Sequence, residues 1–436
     1  MSPKVSVVVH CGTQAIGGSC VELRCGDTRI VIDVGMPLVN PDGSEFNSRE
    51  CQGVEGQKLY ERQILPQVEG LYHWQPRSVD AILVSHAHMD HYGFLDHVHG
   101  DIPVYLSEET LKLMRLTKQY IKSTPVAKRP VVFKWHESFQ CGPFKITPHL
   151  VDHSACGAYA FLVEAEGKRV LYSGDLRDHG GKWKTFPLLI KNVPKGIDAV
   201  LLEGTMMGRN GVVKREEQLC EEAVEFCRET RGPVLSCQSG QNIDRLCAYF
   251  KAARHANRLF LVDPYVAHVL DTLYDPKRIV IPTVSRNPGT MRVFYPNWMK
   301  QSDIALRYGR YKIEAEEIAA KRERVFMIVR PTMRRFLNKV QRVGNGLDGG
   351  LLLFSMWSGY KEEKGPKEFL EWAREKQLDI HDHHTSGHAT IEALQRLVAA
   401  IEPKRTIPIH TFDGDDYRKY FFPAVFRLRD GEALEL

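Results

Sequence analysis

Residues 81–93 read AILVSHAHMDHYG, and this stretch decides the fold. The apolar run Ala81-Ile82-Leu83-Val84 has the length and composition of a short buried strand. Directly behind it stand His86, His88, Asp90 and His91, four potential metal ligands within six positions. In extended chain, residues two apart project to the same side, so His86 and His88 can hold one ion together. Asp90 and His91 fall on the turn that follows, ended by Gly93, and face a neighbouring ion. Imidazole nitrogens with a carboxylate oxygen suit zinc, with manganese or iron as alternatives. A histidine-rich surface loop is the plain alternative, but four ligand-type residues at this spacing behind a buried strand rarely serve solvation alone.

At 436 residues the chain is long for one core and comfortable for two. Its 43% hydrophobic and 26% charged residues are ordinary for a soluble globular protein. A net charge of +5, from 59 Lys and Arg against 54 Asp and Glu, permits a phosphate-bearing partner without requiring one. The start, MSPKVSVVVHCG, lacks the apolar core and cleavage site of a secretory signal, and no stretch has the length of a membrane span. Ten cysteines lie between Cys11 and Cys247 with no C-x-x-C pair. Reduced thiols in a cytoplasmic protein are expected, and no disulfide framework.

Outward from the opening stretch, Val5 to Gly35 reads as strands and turns: VSVVV, VELRC, then RIVID ending at Asp33. Asp33 closes its strand as the histidine motif closes its own, which places it to orient a ligand histidine, or merely to cap a turn. Pro37 to Arg77 is loop-rich, with a short helix near Leu59 to Leu65. Ser107 to Tyr120 is helical, and Phe144 to Thr147 leads to Asp152-His153-Ser154. YAFLVEAEGKRVLYSGD, ending at Asp175, repeats the hairpin-then-aspartate layout of residues 21–35, consistent with two sheets back to back. His149 and His179 are expected to be structural or surface residues.

IDAVLLE ends a further strand at Glu203. Beyond it, helices near 214–228, 242–254, 267–273 and 312–321 alternate with strands near 233–237, 259–263, 278–281, 326–329 and 351–354. Such alternation predicts a parallel sheet flanked by helices. The expected division is 1–205, an inserted α/β domain at 206–380, and a return to the first domain at 381–436. Thr385 and Ser386 are expected to cap a helix with Ile391, Leu394, Leu397, Val398 and Ile401 on one face. His388 then sits in the first turn, where free N–H groups favour a phosphate.

The motif His86-x-His88-x-Asp90-His91 after an apolar strand resembles the signature of the metallo-β-lactamase superfamily, whose members hold one or two metals between two packed sheets. The resemblance implies an αββα sandwich. It also implies that His86, His88 and His153 hold one ion, that Asp90 and His91 hold the other, and that Asp175 bridges the two. His410, ending the strand Thr406 to Ile409, supplies the last nitrogen of the second ion, unless it is a satisfied structural histidine. The cofactor expected is two zinc ions, with manganese as the alternative.

Glu203, Ser386-Gly387-His388 and Pro408-Ile409-His410, together with the inserted domain, resemble the β-CASP branch of that superfamily, whose members are nucleases such as ribonuclease J. The resemblance covers nearly the whole chain. Gln241-Asn242-Ile243-Asp244-Arg245 and Ser358-Gly359-Tyr360 match two further segments of the branch, with Gln241 where Ser is usual. Asn242, Arg245 and Ser358 are therefore expected at substrate phosphates. The C-terminal domain of ribonuclease J and any N-terminal KH-type module are missing from the pattern.

The expected reaction is phosphodiester hydrolysis, in which two metals lower the pKa of a bridging water and clamp the phosphate. Asp90, Glu203 and His388 are the expected catalytic groups, with His388 held by Glu203 and assisting at the phosphate or the leaving oxygen. A histidine at 410 resembles the RNA-processing members, so single-stranded RNA is the expected partner, DNA the alternative, with no membrane and a homodimer allowed. Arg330, Arg334, Arg335, Lys339 and Arg342 either track phosphates or form a solvated helix face. Trp298 and Trp357 read as core residues rather than base-stacking ones. Competing readings are a DNA nuclease of the same fold, an inactive RNA-binding scaffold, and a small-molecule hydrolase. The scaffold would show lost ligands, and none is lost. The small-molecule hydrolase leaves the inserted domain surplus. Whether cleavage is exo- or endonucleolytic is left open.

Overall fold

Two seven- and six-stranded sheets face each other in the first unit of the structure, a computed structural model describing residues 3–40, 43–209, 213–296, 307–421 and 423–436. This unit comprises Met1–Gly211 and Gly387–Leu436, and the second unit Val212–Ser386. The sequence reading put the two divisions at 205/206 and 380/381.

The first sheet is built from β1 (Val5–Cys11), β2 (Cys20–Cys25), β3 (Thr28–Ile32), β4 (Ala81–Leu83), β5 (Val104–Leu106), β6 (Pro130–Val132) and β19 (Ala433–Glu435), in the order β19-β1-β2-β3-β4-β5-β6. From β3 to β6 the pairing is parallel. The second contains β7 (Phe139–Cys141), β8 (Phe144–Leu150), β9 (Tyr159–Ala165), β10 (Lys168–Tyr172), β11 (Ala199–Glu203) and β18 (Thr406–Ile409), in the order β18-β11-β10-β9-β8-β7. Here β10, β11 and β18 run parallel.

Alternation explains the layering. Val5, Val7 and Val9 of β1 point inward with Leu23, Ile30 and Leu83, and they meet Phe144, Phe161, Tyr172, Leu201 and Ile407 of the other sheet in one buried cluster. The opposite face of the second sheet, through Leu162, Leu171, Val200 and Leu202, packs on helices Thr185–Asn192, Ile391–Ile401 and Tyr417–Phe421. Helix Glu108–Tyr120 is capped by Ser107, whose hydroxyl accepts from the Thr110 amide, and buries Leu113, Met114 and Leu116. This is the αββα sandwich.

The parallel register sets up the site. Ile32 pairs with Leu83, Tyr172 with Leu201, and Glu203 with Ile409, so the residues just past β3 and β4, and those at or past the ends of β10, β11 and β18, emerge at one edge.

The second unit is an all-parallel sheet of β12 (Val234–Cys237), β13 (Leu259–Val262), β14 (Met291–Val293), β15 (Val325–Val329), β16 (Leu351–Phe354) and β17 (Asp379–Asp382), in the order β14-β13-β15-β12-β16-β17. Its central strands are buried along their whole length, as a sheet covered on both faces requires. Some expected elements moved. Arg278 to Ile281 is not a strand: Ile279 bridges back to Asp275 in a turn, and the next strand is Met291–Val293. The helices expected at 59–65 and 312–321 are Gly56–Glu61 and Ala315–Ala320. Trp298 lies outside the described residues. None of the ten cysteines is in a disulfide among the described residues.

Candidate metal centre

Asp33 ties three strand ends together. It follows β3 with φ 61°, a left-handed conformation that Asp tolerates better than most residues, and its carboxylate is fully buried. Oδ1 accepts the Ser85 amide at 2.8 Å, while Oδ2 accepts the Ser85 and Tyr172 hydroxyls, each at 2.7 Å. Oδ2 also takes the Nδ1–H of His91 at 2.7 Å, which turns the His91 Nε2 lone pair toward Asp175, 3.2 Å away. Asp33 therefore orients a ligand-type histidine.

Three imidazole nitrogens converge next to it. His88 Nδ1 lies 3.1 Å from both His86 Nε2 and His153 Nε2. Tetrahedral ligation at about 2.0–2.1 Å separates nitrogens by roughly 3.3 Å, so this triangle has the dimensions of a zinc-type site. His153 is fixed by its Nδ1–H, donated to the Gly387 carbonyl at 2.6 Å. Burial, reinforced by the neighbouring histidines, holds His86 and His153 well below the usual imidazole range, in the neutral form a metal needs.

Asp90, His91, Asp175 and His410 form a second group, with Asp175 at its centre. Asp175 Oδ2 lies 3.7 Å from His86, 3.8 Å from His153 and 3.7 Å from His410, so one oxygen addresses both groups. Gly174 makes this approach possible. Its φ is 55°, and a Cβ there would come within 2.8 Å of the Tyr159 carbonyl. Burial opposes ionisation of Asp175, but His410, His91 and His388 pull its carboxyl well below the usual range. For His91 burial is likewise outweighed, here by Asp175, Asp90 and Asp33, and its pKa rises well above normal. That rise registers the negative charge gathered for a cation. His91 Nε2 and His410 Nε2 are buried without a hydrogen-bond partner among the described residues, as expected of lone pairs available to a metal. His410 has φ 52°, and its Nδ1 lies 2.9 Å from the Ser19 hydroxyl. The donor set thus fits two metal ions sharing Asp175.

Glu203, at the end of β11, accepts the Thr205 and Ala389 amides, each at 3.0 Å. Its Oε2 lies 3.4 Å from His388 Nδ1, which is 3.8 Å from Asp175 Oδ2. The expected helix start is corrected here. Thr390, not Thr385 or Ser386, caps the helix Ile391–Ile401, so His388 precedes the helix and the argument from its free N–H groups falls. Thr385 instead donates to the Lys214 carbonyl, with its hydroxyl buried by tertiary contacts.

The expected phosphate contacts in the second unit fare differently. Arg245 is fully buried: Nε and Nη2 bind Glu216 at 2.9 and 3.2 Å, and Nη1 meets the Ser355 hydroxyl and the His383 carbonyl. Its donors hold the unit together, which corrects the reading of Arg245 as a phosphate contact. Asn242 caps the helix Ile243–His255 by accepting the Arg245 amide. Ser358 is exposed on a 3-10 turn, Ser358–Glu362. Trp357 beside it is 45% exposed, so it is not the core residue expected. His149 and His179 are buried away from both ligand groups.

Several supporting residues were missed. Ser85, Tyr172, Ser19 and the Gly387 carbonyl orient the ligand histidines directly or through Asp33. Ser85 alone carried a local signal, since it directly precedes His86.

A two-sheet sandwich with this histidine–aspartate set at its strand ends is the architecture of the metallo-β-lactamase superfamily. Residues 59–235 match the beta-lactamase superfamily domain. Ribonuclease J of Sinorhizobium meliloti is 24% identical over 433 residues, covering 93% of this chain and 69% of that protein. Ribonuclease J of Mycoplasma genitalium is 23% identical, covering 92% of this chain and 66% of that protein. The chain thus spans about two thirds of the length of these relatives. The transcription termination factor FttA of Methanocaldococcus jannaschii is 26% identical over 50% of this chain and 34% of that protein. A crystal structure of an Enterococcus faecalis protein of unknown function superposes with a TM-score of 0.81 at 20% identity, covering 99% of this chain and 100% of that one. Over most of its length the chain is thus similar to ribonuclease J proteins, and residues 59–235 carry the beta-lactamase superfamily domain.

Proposed function

We propose that the protein is a metal-dependent nuclease acting on single-stranded RNA, with two zinc ions as its resident metals and manganese as the alternative. One observation carries the proposal: Asp175 Oδ2 stands between two histidine-rich ligand groups with the Glu203–His388 pair beside it. His86, His88 and His153 would hold one ion, Asp90, His91 and His410 the other, and Asp175 both. When bound, the metals supply charge neutralisation at the phosphate and a water acidic enough to react near neutral pH.

The chain's own groups do the rest. Burial opposes protonation of His388, but Glu203 and Asp175 outweigh it and raise its pKa, favouring the form that carries a ring proton. It can offer that proton to a phosphate oxygen or to the departing oxygen. Glu203, pinned by two backbone amides, keeps the ring in place. Names of relatives and the histidine at 410 favour RNA over DNA. Among the described residues no helix is long and apolar enough to cross a membrane.

The test is end-labelled single-stranded RNA and DNA of one sequence, with the wild type and Asp175→Ala, and metal content measured on both. Wild-type cleavage of RNA in preference to DNA, with metal and cleavage lost together in Asp175→Ala, is the expected result. An unchanged product ladder in the variant would refute the assignment, and DNA cleaved as readily as RNA would move the substrate to nucleic acid in general.

A further inference from the structure

The basic run in the second unit divides into two sets. Helix Arg334–Arg342 buries Phe336, Leu337 and Val340, so its charged residues fall on the outer face. Arg334 binds Glu368 at 2.8 Å, Lys339 binds Glu316 at 3.0 Å, and Arg330 pairs with Asp263. Arg335 and Arg342, on the same helix, have no carboxylate partner among the described residues. Together with Lys376, also without one, they line a surface depression of about 430 Å³ with Asn338 and Gln341.

The two amides are set, not adaptable. Asn338 Oδ1 accepts the Trp372 Nε1–H at 2.9 Å, which fixes the side chain and leaves its NH2 as the donor end. Gln341 accepts the Leu347 amide and donates to Asp348 Oδ1, each at 2.8 Å. Three like charges around one depression repel each other. The fold has supplied counter-ions to their neighbours but not to them, which marks the place for an anion from outside.

We propose that this depression is a phosphate-binding site for the backbone of single-stranded RNA, a contact separate from the metal centre; it rests on the nuclease reading for the choice of RNA. Two guanidinium forks, an ammonium and an amide donor match phosphate oxygens. None of the five lining residues is aromatic, so the site holds backbone and does not read bases. Binding there is independent of sequence.

The experiment uses the metal-loaded full chain with His388→Ala to prevent cleavage, and measures anisotropy of a labelled single-stranded 30-mer RNA across a salt series. Each phosphate contact on a single strand adds about 0.7 to the slope of log affinity against log salt, so Arg335→Gln/Arg342→Gln/Lys376→Gln should lower the slope by about 2 and weaken binding roughly tenfold at moderate salt. The control is Arg334→Gln/Lys339→Gln, which removes paired cations from the same helix and should change the slope by less than half as much. On the His388-intact protein the triple variant should raise KM for the 30-mer and leave hydrolysis of bis(p-nitrophenyl) phosphate unchanged. A triple variant with the wild-type slope and affinity, or no weaker than the control, overturns the proposal. Should RNA bind with the expected slopes but not be cleaved by the wild type, the nuclease reading fails and this site stands.

Discussion

Asp33→Asn offers the sharpest test of how the metal centre is held. The substitution keeps size and shape, and Asn is as tolerant of φ 61° as Asp, so the backbone has no reason to object. The hydrogen-bond count does. Oδ2 accepts three donors, from His91, Tyr172 and Ser85, each at 2.7 Å, and Oδ1 accepts the Ser85 amide at 2.8 Å. An asparagine has one acceptor oxygen, so its NH2 must face either the Ser85 amide or the three-donor cluster, and donor meets donor both ways. A hydrogen bond to a charged group contributes about 1.5–3 kcal/mol. Part of that loss falls on the orientation of His91, where outer contacts of this kind change metal affinity about 10–100-fold. In free energy this is about 1.4–2.8 kcal/mol. Tyr172→Phe removes a single donor to the carboxylate and should cost about 1.5–3 kcal/mol of stability while leaving metal affinity near wild type. The assay is metal content after gel filtration, chelator competition for affinity, and Tm for stability. If Asp33→Asn kept both metals at wild-type affinity, or Tyr172→Phe lost as much metal, the claim that this carboxylate aims His91 would be wrong.

Glu203→Gln and His388→Ala should each lower kcat about 10²–10³-fold while both metals remain bound, read by single-turnover cleavage beside metal analysis; loss of metal in either would make them ligands instead. Glu22 is fully buried: burial opposes its charge, but hydrogen bonds with His10, Arg24 and Arg29 hold its carboxyl well below the usual range. Its folded pKa lies below the unfolded value of about 4.3, so its contribution is complete above that pH and is lost as pH falls. Glu22→Gln should cost about 3 kcal/mol at pH 7, with the gap to wild type narrowing below about pH 4 in urea melts; a gap constant with pH would count against the ion pairs. His149 is buried with neither ring nitrogen hydrogen-bonded among the described residues, and burial, aided by His136, pushes its pKa down to about 4. Relative to an unfolded value of about 6.5, wild type loses stability as pH falls between the two. His149→Phe should gain about 1 kcal/mol at pH 7 and more at pH 5, and equal stabilities at pH 5 would contradict this.

The residues of the candidate metal centre were legible because their chemistry is written locally. His86 and His88 follow a buried strand at a spacing of two, Asp90 and His91 occupy the next turn, and Asp175, Glu203 and His410 stand at or just past other strand ends. The sandwich was legible for the same reason, since alternation along Val5–Cys11 and Tyr159–Ala165 dictates one face inward. The helix start was not: Thr385 and Thr390 both precede the apolar stripe, and a long-range bond from Thr385 to the Lys214 carbonyl leaves Thr390 as the cap. Arg245 looked like a phosphate contact because a guanidinium carries no local sign of its partner, and Glu216 is 29 residues away. A three-residue strand such as Met291–Val293 is too short for periodicity to register. The identity and order of the candidate ligand side chains were determined by the sequence itself. Which ring nitrogen each candidate ligand presents, and which cations have no carboxylate partner among the described residues, was decided by tertiary structure, because both depend on groups delivered from distant segments.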